Sequence, residues 1–236
     1  MSDINISIEG GTSKRLLTAG KYCSGDIIVK AVGSGGVDTR LNGIVEGTLT
    51  ELDDDSITQT RSYAFYGAGN LARVNLTNLT SLGSYTFANC TSLVSVNLPN
   101  LTSAVTTFAF DGCSALQHVN FPNATAANNY SFQDCASIEK VELGVATTLG
   151  SYSFRRSGIK ALIIRNNTSN LTKLNSTNAF SNCPIETGEG YIYFPRDYVE
   201  SYKAATGWKT YADQIRALED YTVDGTITGE LDENKI

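Results

Sequence analysis

Six phenylalanines recur at nearly constant spacing: Phe65, Phe87, Phe110, Phe132, Phe154 and Phe180, with steps of 22, 23, 22, 22 and 26 residues. Self-similarity at a fixed period marks a stack of small supersecondary units, and no other feature of the chain restricts its fold as strongly. The neighbours of each rung repeat too. Three residues later stand Ala68, Cys90, Cys113, Cys135, Ser157 and Cys183, all small. Two residues earlier stand Tyr63, Tyr85, Phe108, Tyr130, Tyr152 and Asn178. An aliphatic residue follows at Leu71, Leu93, Leu116 and Ile138, then one place early at Ile159 and Ile185.

Next in each unit comes an alternating pair: Val74/Leu76, Val96/Leu98, Val119/Phe121, Val141/Leu143 and Leu162/Ile164. Period-two alternation is the signature of a short strand. Equivalent strands of successive units stack in parallel about 4.8 Å apart, so six coils give a rod on the order of 30 Å long. One unit cannot bury its own apolar face, but stacked units share a continuous core. The Phe ladder fills the turn side of that core. The Cys ladder occupies a position where only a small, weakly polar side chain fits. Adjacent thiols are near enough for a disulfide, though nothing requires one. Ligands in a row do not converge, so the ladder is a poor metal site.

A period near 22 falls in the leucine-rich-repeat range. The units read YAFYGAGNL, YTFANCTSL, FAFDGCSAL, YSFQDCASI, YSFRRSGI and NAFSNCPI. They resemble the BspA-like leucine-rich-repeat family over roughly residues 48–190. The resemblance implies an α+β repeat solenoid: a right-handed stack with a parallel β-sheet, a small N-terminal β-module and a C-terminal helical cap. The fifth unit departs from the pattern at Ser157. The sixth carries an insertion, and its loop around Asn166–Asn175 is expected to bulge.

The chain divides into four parts. Residues 1–36 are a small β attachment module with a Gly/Ser linker, residues 37–190 hold about six repeats, 191–218 form a strand-helix cap, and 219–236 are a polar tail. In the first part Ile4, Ile6 and Ile8 alternate, Gly10-Gly11 turns the chain, and residues 26–32 form a second strand. Such a module is too small to be stable alone. In the cap, Tyr191–Phe194 is a closing strand and Pro195 stops the ladder. Asp197 caps a helix bearing Tyr198, Val199 and Tyr202. Gly207 breaks it, and a second helix places Trp208, Tyr211, Ile215 and Leu218 on one face. The lone tryptophan plugs the open core. The YFPRDYVESYKAATGWKTYADQI string resembles the closing segment of BspA-like proteins.

Composition narrows the function. The net charge is −6 and the pI near 4.8, which argues against a nucleic-acid binder that neutralises phosphates. No apolar run approaches the length of a membrane span. One histidine, His118, removes most zinc sites and Ser-His-Asp or Cys-His catalysis. No phosphate-binding glycine loop opens a helix, so no cofactor is expected. Asn-x-Ser/Thr triplets at Asn75, Asn78, Asn100 and Asn170 follow from an Asn- and Thr-rich composition better than from glycosylation. Asp53-Asp54-Asp55 offers oxygen ligands of the kind Ca²⁺ takes, but a plain acidic turn accounts for it more simply. Glu139, Lys140 and Glu142 read as a surface charge cluster.

Side chains between core positions point to the open sheet face. Two rows result: Arg73, Ser95, His118, Lys140 and Ala161, beside Asn75, Asn97, Asn120, Glu142 and Ile163. An Asn row presents donors and acceptors at regular intervals. It suits a glycan or a protein surface, or it is a solvated ladder that supports itself. Ligand-binding candidates are therefore Arg73, Asn75, Ser95, Asn97, His118, Asn120, Lys140 and Glu142. The stretch LLTAGKYCSGDIIVKAVGSGG resembles N-terminal modules of phage and prophage tail proteins of gut bacteria. It implies a virion-tail, host-recognition protein: the module docks to other tail proteins, the solenoid faces a host surface protein or glycan, and copies assemble as a trimer. The alternative is a bacterial cell-surface adhesin. No nucleophile and base pair up in the sequence, so an enzyme is not expected.

Overall fold

The computed structural model describes residues 4–6, 14–16, 50–55, 57–223 and 226–227. Near the N-terminus, β1 (Ile4–Ile6) pairs antiparallel with β2 (Lys14–Leu16). The partner of the first strand is therefore Lys14–Leu16; the expected strand over 26–32 lies outside the described residues.

The repeats begin one coil before the first Phe rung. The strands β3 (Glu51–Asp53), β4 (Arg73–Asn75), β5 (Ser95–Asn97) and β6 (His118–Asn120) form one parallel sheet. Asp53 is thus a strand residue, in register with Asn75, and not part of an acidic turn. Further along the chain come β7 (Ala126–Ala127), β8 (Lys140–Leu143), β9 (Thr148–Leu149), β10 (Ala161–Ile164), β11 (Lys173–Leu174), β12 (Tyr191–Phe194) and β13 (Ile215–Ala217). β8, β10, β12 and β13 make a second four-stranded parallel sheet, and β7, β9 and β11 a third sheet of three parallel strands. The expected single sheet is therefore divided: β6 and β8 lie side by side but belong to separate ladders.

The core follows the spacing of the sequence. All six Phe rungs are buried, and successive rings stack at 5.3, 5.6, 5.5, 5.3 and 5.7 Å. These separations lie within the favourable range for offset stacking. Phe121 adds a seventh ring against Phe110 and Phe132. Cys90, Cys113, Cys135 and Cys183 are free, buried thiols. The Sγ–H of Cys90, Cys113 and Cys135 donates to the carbonyl of Phe65, Phe87 and Phe110, one coil back, at 3.0–3.1 Å. Ser157, with its shorter side chain, donates instead to Phe154 of its own coil.

A second aromatic ladder runs parallel to the first. Tyr63, Tyr85, Phe108, Tyr130 and Tyr152 all have left-handed backbones, with φ between 56° and 64°. Their rings stack at 4.5, 4.6, 4.5 and 5.3 Å. A non-glycine residue in this conformation costs about 1–2 kcal/mol. Phe108 offsets that cost with two stacked neighbours worth about 0.5–1.5 kcal/mol each beyond the apolar area they cover. Phe108→Gly removes the strain and the stacking together. The stacking and the buried area outweigh the strain, so a net loss of about 1–2 kcal/mol is expected as a lower denaturant midpoint. A gain in stability would show that strain dominates.

The C-terminal cap differs from the sequence expectation in three places. Asp197 does not cap a helix. A 3₁₀ turn over Arg196–Tyr198 follows Pro195, and α2 (Val199–Ala204), the second helix after α1 (Pro184–Thr187), has Tyr198 at its N-cap with no side-chain cap. The helix ends at an extended Ala205, before Gly207 turns the chain at φ 84°. The expected second α-helix is a 3₁₀ segment over Trp208–Gln214, kinked at Tyr211. Ile215 stands on β13, which pairs in parallel with β12 and continues the sheet past Pro195. The unpaired edge of β12 supplies the reason: a strand there satisfies its backbone groups, which a helix cannot do. Ile215 and Ala217 turn inward and are buried. The loop of the sixth unit closes on itself, with the Asn166 amide donating to the Asn170 carbonyl. Beyond the cap, β14 (Thr222–Val223) and β15 (Thr226–Ile227) pair antiparallel.

Candidate functional site: the open sheet face

The strands β3, β4 and β5 bury their central leucine or valine and leave the flanking residues partly or fully exposed, and in β6 the central Val119 is half-buried. Val74 and Val96 are 2% exposed. The register aligns Arg73, Ser95 and His118 in one row and Asn75, Asn97 and Asn120 in the other. These six candidates share one sheet. Lys140 and Glu142 stand on β8, across the break, so the eight do not form one unbroken strip.

The Asn row is a chain of amides. Asn120 Nδ2 donates to Asn97 Oδ1 at 2.7 Å, Asn97 Nδ2 to Asn75 Oδ1 at 2.7 Å, and Asn75 Nδ2 to Asp53 Oδ1 at 2.8 Å. Asp53 suits the end of the chain because a carboxylate only accepts. A second ladder lies at the following turn. Asn78, Asn100 and Asn123 donate to the carbonyls of Asp55, Thr77 and Pro99, each one coil back. The triplets at Asn75, Asn78 and Asn100 therefore belong to inter-coil hydrogen bonding.

The charged groups divide into occupied and open ones. Glu142 pairs with Arg165, and Glu139 with Lys160. Among the described residues, Arg73, His118 and Lys140 have no ion-pair partner. Arg73 and His118 are exposed and Lys140 is half-buried. Ala161 and Ile163, placed on the open rows by alternation, are buried, Ile163 completely. Both are flanked by β8 on one side and by the tyrosine-bearing β12 on the other.

The sequence puts these tyrosines on the closing strand but not on the candidate face. Tyr191 and Tyr193 alternate with the buried Ile192 and Phe194, a period-two signal that marks them as outward residues. Arg216 lies over the Tyr191 ring at 4.4 Å, and Tyr193 meets Tyr221 edge-on at 4.9 Å. The face thus passes from polar on β4–β6 to aromatic on β12. Burial raises the Tyr193 and Tyr221 hydroxyl pKa above the ordinary range. No group of three or more His, Cys, Asp or Glu converges to hold a metal among the described residues. Among the same residues no helix is long and apolar enough to cross a membrane.

Stacked coils, parallel short strands and laddered side chains define a leucine-rich-repeat solenoid. The family model described as BspA type leucine rich repeat region matches in six copies over residues 58–186. The chain belongs to that family. Its fold is similar to the crystal structure of a leucine-rich repeat protein from Bacteroides ovatus, at 23% identity and a TM-score of 0.53, covering 72% of this chain and 42% of that one. The chain therefore spans less than half of that relative's length. It is also similar to a leucine rich cell surface protein from Faecalibacterium prausnitzii, at 17% identity and a TM-score of 0.45, covering 83% of this chain and 71% of that one. No curated protein matches the chain.

Proposed function

We propose that this chain is a non-enzymatic binding protein of a bacterial cell surface, an adhesin that uses the open face of its first sheet. The observation that carries the reading is the pre-ordered Asn75–Asn97–Asn120 ladder beside the unpaired Arg73 and His118. Ladder amides already fixed by one another lose little conformational freedom when a ligand arrives, which favours binding. Each amide keeps a second N–H and a carbonyl lone pair for a hydroxyl-rich or peptide partner. The virion-tail reading rests on residues outside the described part of the repeats, and the comparisons favour the surface reading.

The test uses the labelled full chain on intact host cells and the variant Ser95→Trp. Ser95 lies on a central strand between Arg73 and His118, so the indole covers the face without entering the core. Saturable binding by the parent chain and a loss of tenfold or more in the variant are expected. Equal binding by both would reject the face. Recovery of the chain in purified phage particles at structural copy number, and not in the cell envelope, would replace the surface setting by the tail.

A further inference from the structure

We infer that Tyr63 and Tyr85 form an oxidative coupling site, at which hydrogen peroxide and a haem peroxidase join the two rings into a dityrosine and tie the first Phe unit to the second. The two residues are 22 positions apart. Their rings lie face to face at 4.5 Å with an interplanar angle of 5°. Among the described residues one other tyrosine pair is stacked, Tyr130 with Tyr152, at a longer 5.3 Å. Tyr191–Tyr193 and Tyr193–Tyr221 meet edge-on, at 67° and 74°, and Tyr66 is tilted by 59° from Tyr63. Phe108 separates the two stacked pairs, and a ring without a hydroxyl gives no phenoxyl radical. Tyr63 is the first ring of the ladder and is 37% exposed, whereas Tyr85 is half-buried between two rings. Burial holds the Tyr85 hydroxyl above the ordinary tyrosine pKa, and the neighbouring Tyr63 hydroxyl raises it further by its charge and by a hydrogen bond.

The stack matches the orbital demand of the coupling. In a phenoxyl radical the unpaired electron occupies the ring π system, with density on the Cε carbons beside the C–O bond. Its lobes point out of the ring plane, so two such radicals bond most readily when their faces oppose. Holding them in that arrangement replaces a bimolecular encounter by an intramolecular one. Both oxidising equivalents enter at the exposed Tyr63, and each removes one electron and one hydroxyl proton. After the first, the Tyr63 radical recovers an electron across the stack and a proton through the hydrogen bond from Tyr85, which leaves Tyr63 ready for the second. A Cε of each ring then joins in one C–C bond. Each joined carbon gives up its hydrogen as a proton while its phenol oxygen regains one, so both hydroxyls are restored. In sum two C–H bonds break and one C–C bond forms. The two electrons and two protons reduce one peroxide, whose O–O bond breaks, to two waters. The joined rings leave the parallel stack, and the exposed side of Tyr63 gives them the room.

The test treats the full chain, its thiols reduced and the reductant removed, with limiting hydrogen peroxide and a haem peroxidase. The chain is kept dilute so that links between copies are suppressed. Dityrosine is read by its fluorescence and located by mass spectrometry of proteolytic fragments. The main product is expected to be the Tyr63–Tyr85 pair, lighter by two hydrogens than its separate parts, with the Tyr130–Tyr152 pair behind it. Tyr85→Phe is expected to lower the yield of dityrosine within the chain about tenfold or more while circular dichroism stays as in the parent, because Phe108 shows that the ladder accepts phenylalanine. Tyr66→Phe is expected to leave the yield unchanged, although Tyr66 is nearer to Tyr63 in sequence, because its ring does not face that of Tyr63. Absence of the Tyr63–Tyr85 link in the parent, dominance of another pair, links chiefly between copies, or a parental yield from Tyr85→Phe would each overturn the inference.

Discussion

Raising the pH through 9 to 11 is expected to unfold the repeats steeply, with the protein kept reduced. The cause is the buried thiol ladder. Burial pushes Cys90 up to about 12 and Cys183 up to about 11, and raises Cys113 and Cys135 well above the ordinary thiol value. An unfolded thiol ionises near about pH 8.5. Below that value both states are protonated and the stability is fully present. Above it the unfolded chain releases protons that the folded chain retains, so stability falls as pH rises toward the folded values. Each thiol removes about 1.4 kcal/mol per pH unit in that window, and four together remove on the order of 5 kcal/mol per unit. Against a total stability of about 5–15 kcal/mol, loss of structure between about pH 10 and 11 follows. The single Trp208 gives a fluorescence readout of the cap, and circular dichroism reports the sheets. Cys113→Ala is the control. Ala68 occupies the equivalent rung of the first Phe unit, so alanine is accommodated there; the variant loses about 1 kcal/mol at pH 7 but has a shallower alkaline slope. A variant slope as steep as the parent's would show that other groups drive the transition.

The Phe, Cys and strand ladders were legible because a fixed period records which side chains share a core rung. Ile163 shows the limit of that signal. Alternation places it outward, correctly for its backbone, but burial depends on Tyr193 of β12, 30 residues further along the chain. The break between β6 and β8 is equally hidden, since Phe110 and Phe132 keep the ordinary step and stay stacked across it. Periodicity counts rungs and does not register whether backbones are joined. The spacing 208, 211, 215, 218 is helical by pattern. A 3₁₀ turn followed by a strand satisfies the same inward positions, and the free edge of β12 decides between them. The left-handed backbones of Tyr63, Tyr85, Phe108, Tyr130 and Tyr152 were invisible for the opposite reason: bulky aromatics usually mark extended chain, and only stacking between coils maintains them in this one. The candidate face was legible as two rows of residue types. The direction of the amide chain, its end at Asp53 and the occupation of Glu142 by Arg165 needed the coils in place.

Trp208→Ala is expected to cost about 3–5 kcal/mol, the usual range for truncating a buried tryptophan. The ring is 1% exposed and meets the edges or faces of Phe194 and Tyr202 at 5.1 and 5.6 Å. Its Nε1 donates to the Thr172 carbonyl at 2.6 Å, and the Thr172 amide donates to the Tyr202 hydroxyl at 2.9 Å. The tryptophan thus joins the cap to the loop inserted in the sixth unit. Truncation leaves a cavity and removes a donor from a buried carbonyl. Trp208→Phe keeps most of the apolar volume and loses only the donor, so about 1–2 kcal/mol is expected of it. The damage should also be local. In a solenoid each coil contacts only its neighbours, and an end coil opens without the middle. Hydrogen exchange in Trp208→Ala should therefore accelerate most at β12 and β13, including the Tyr191 amide that bonds to Lys160, and least at β4 and β5. A melting temperature unchanged in the alanine variant would show that Trp208 does not close the core. Uniform acceleration across all strands would show that the repeats unfold as one unit, with the cap holding the whole stack and not only its last coils.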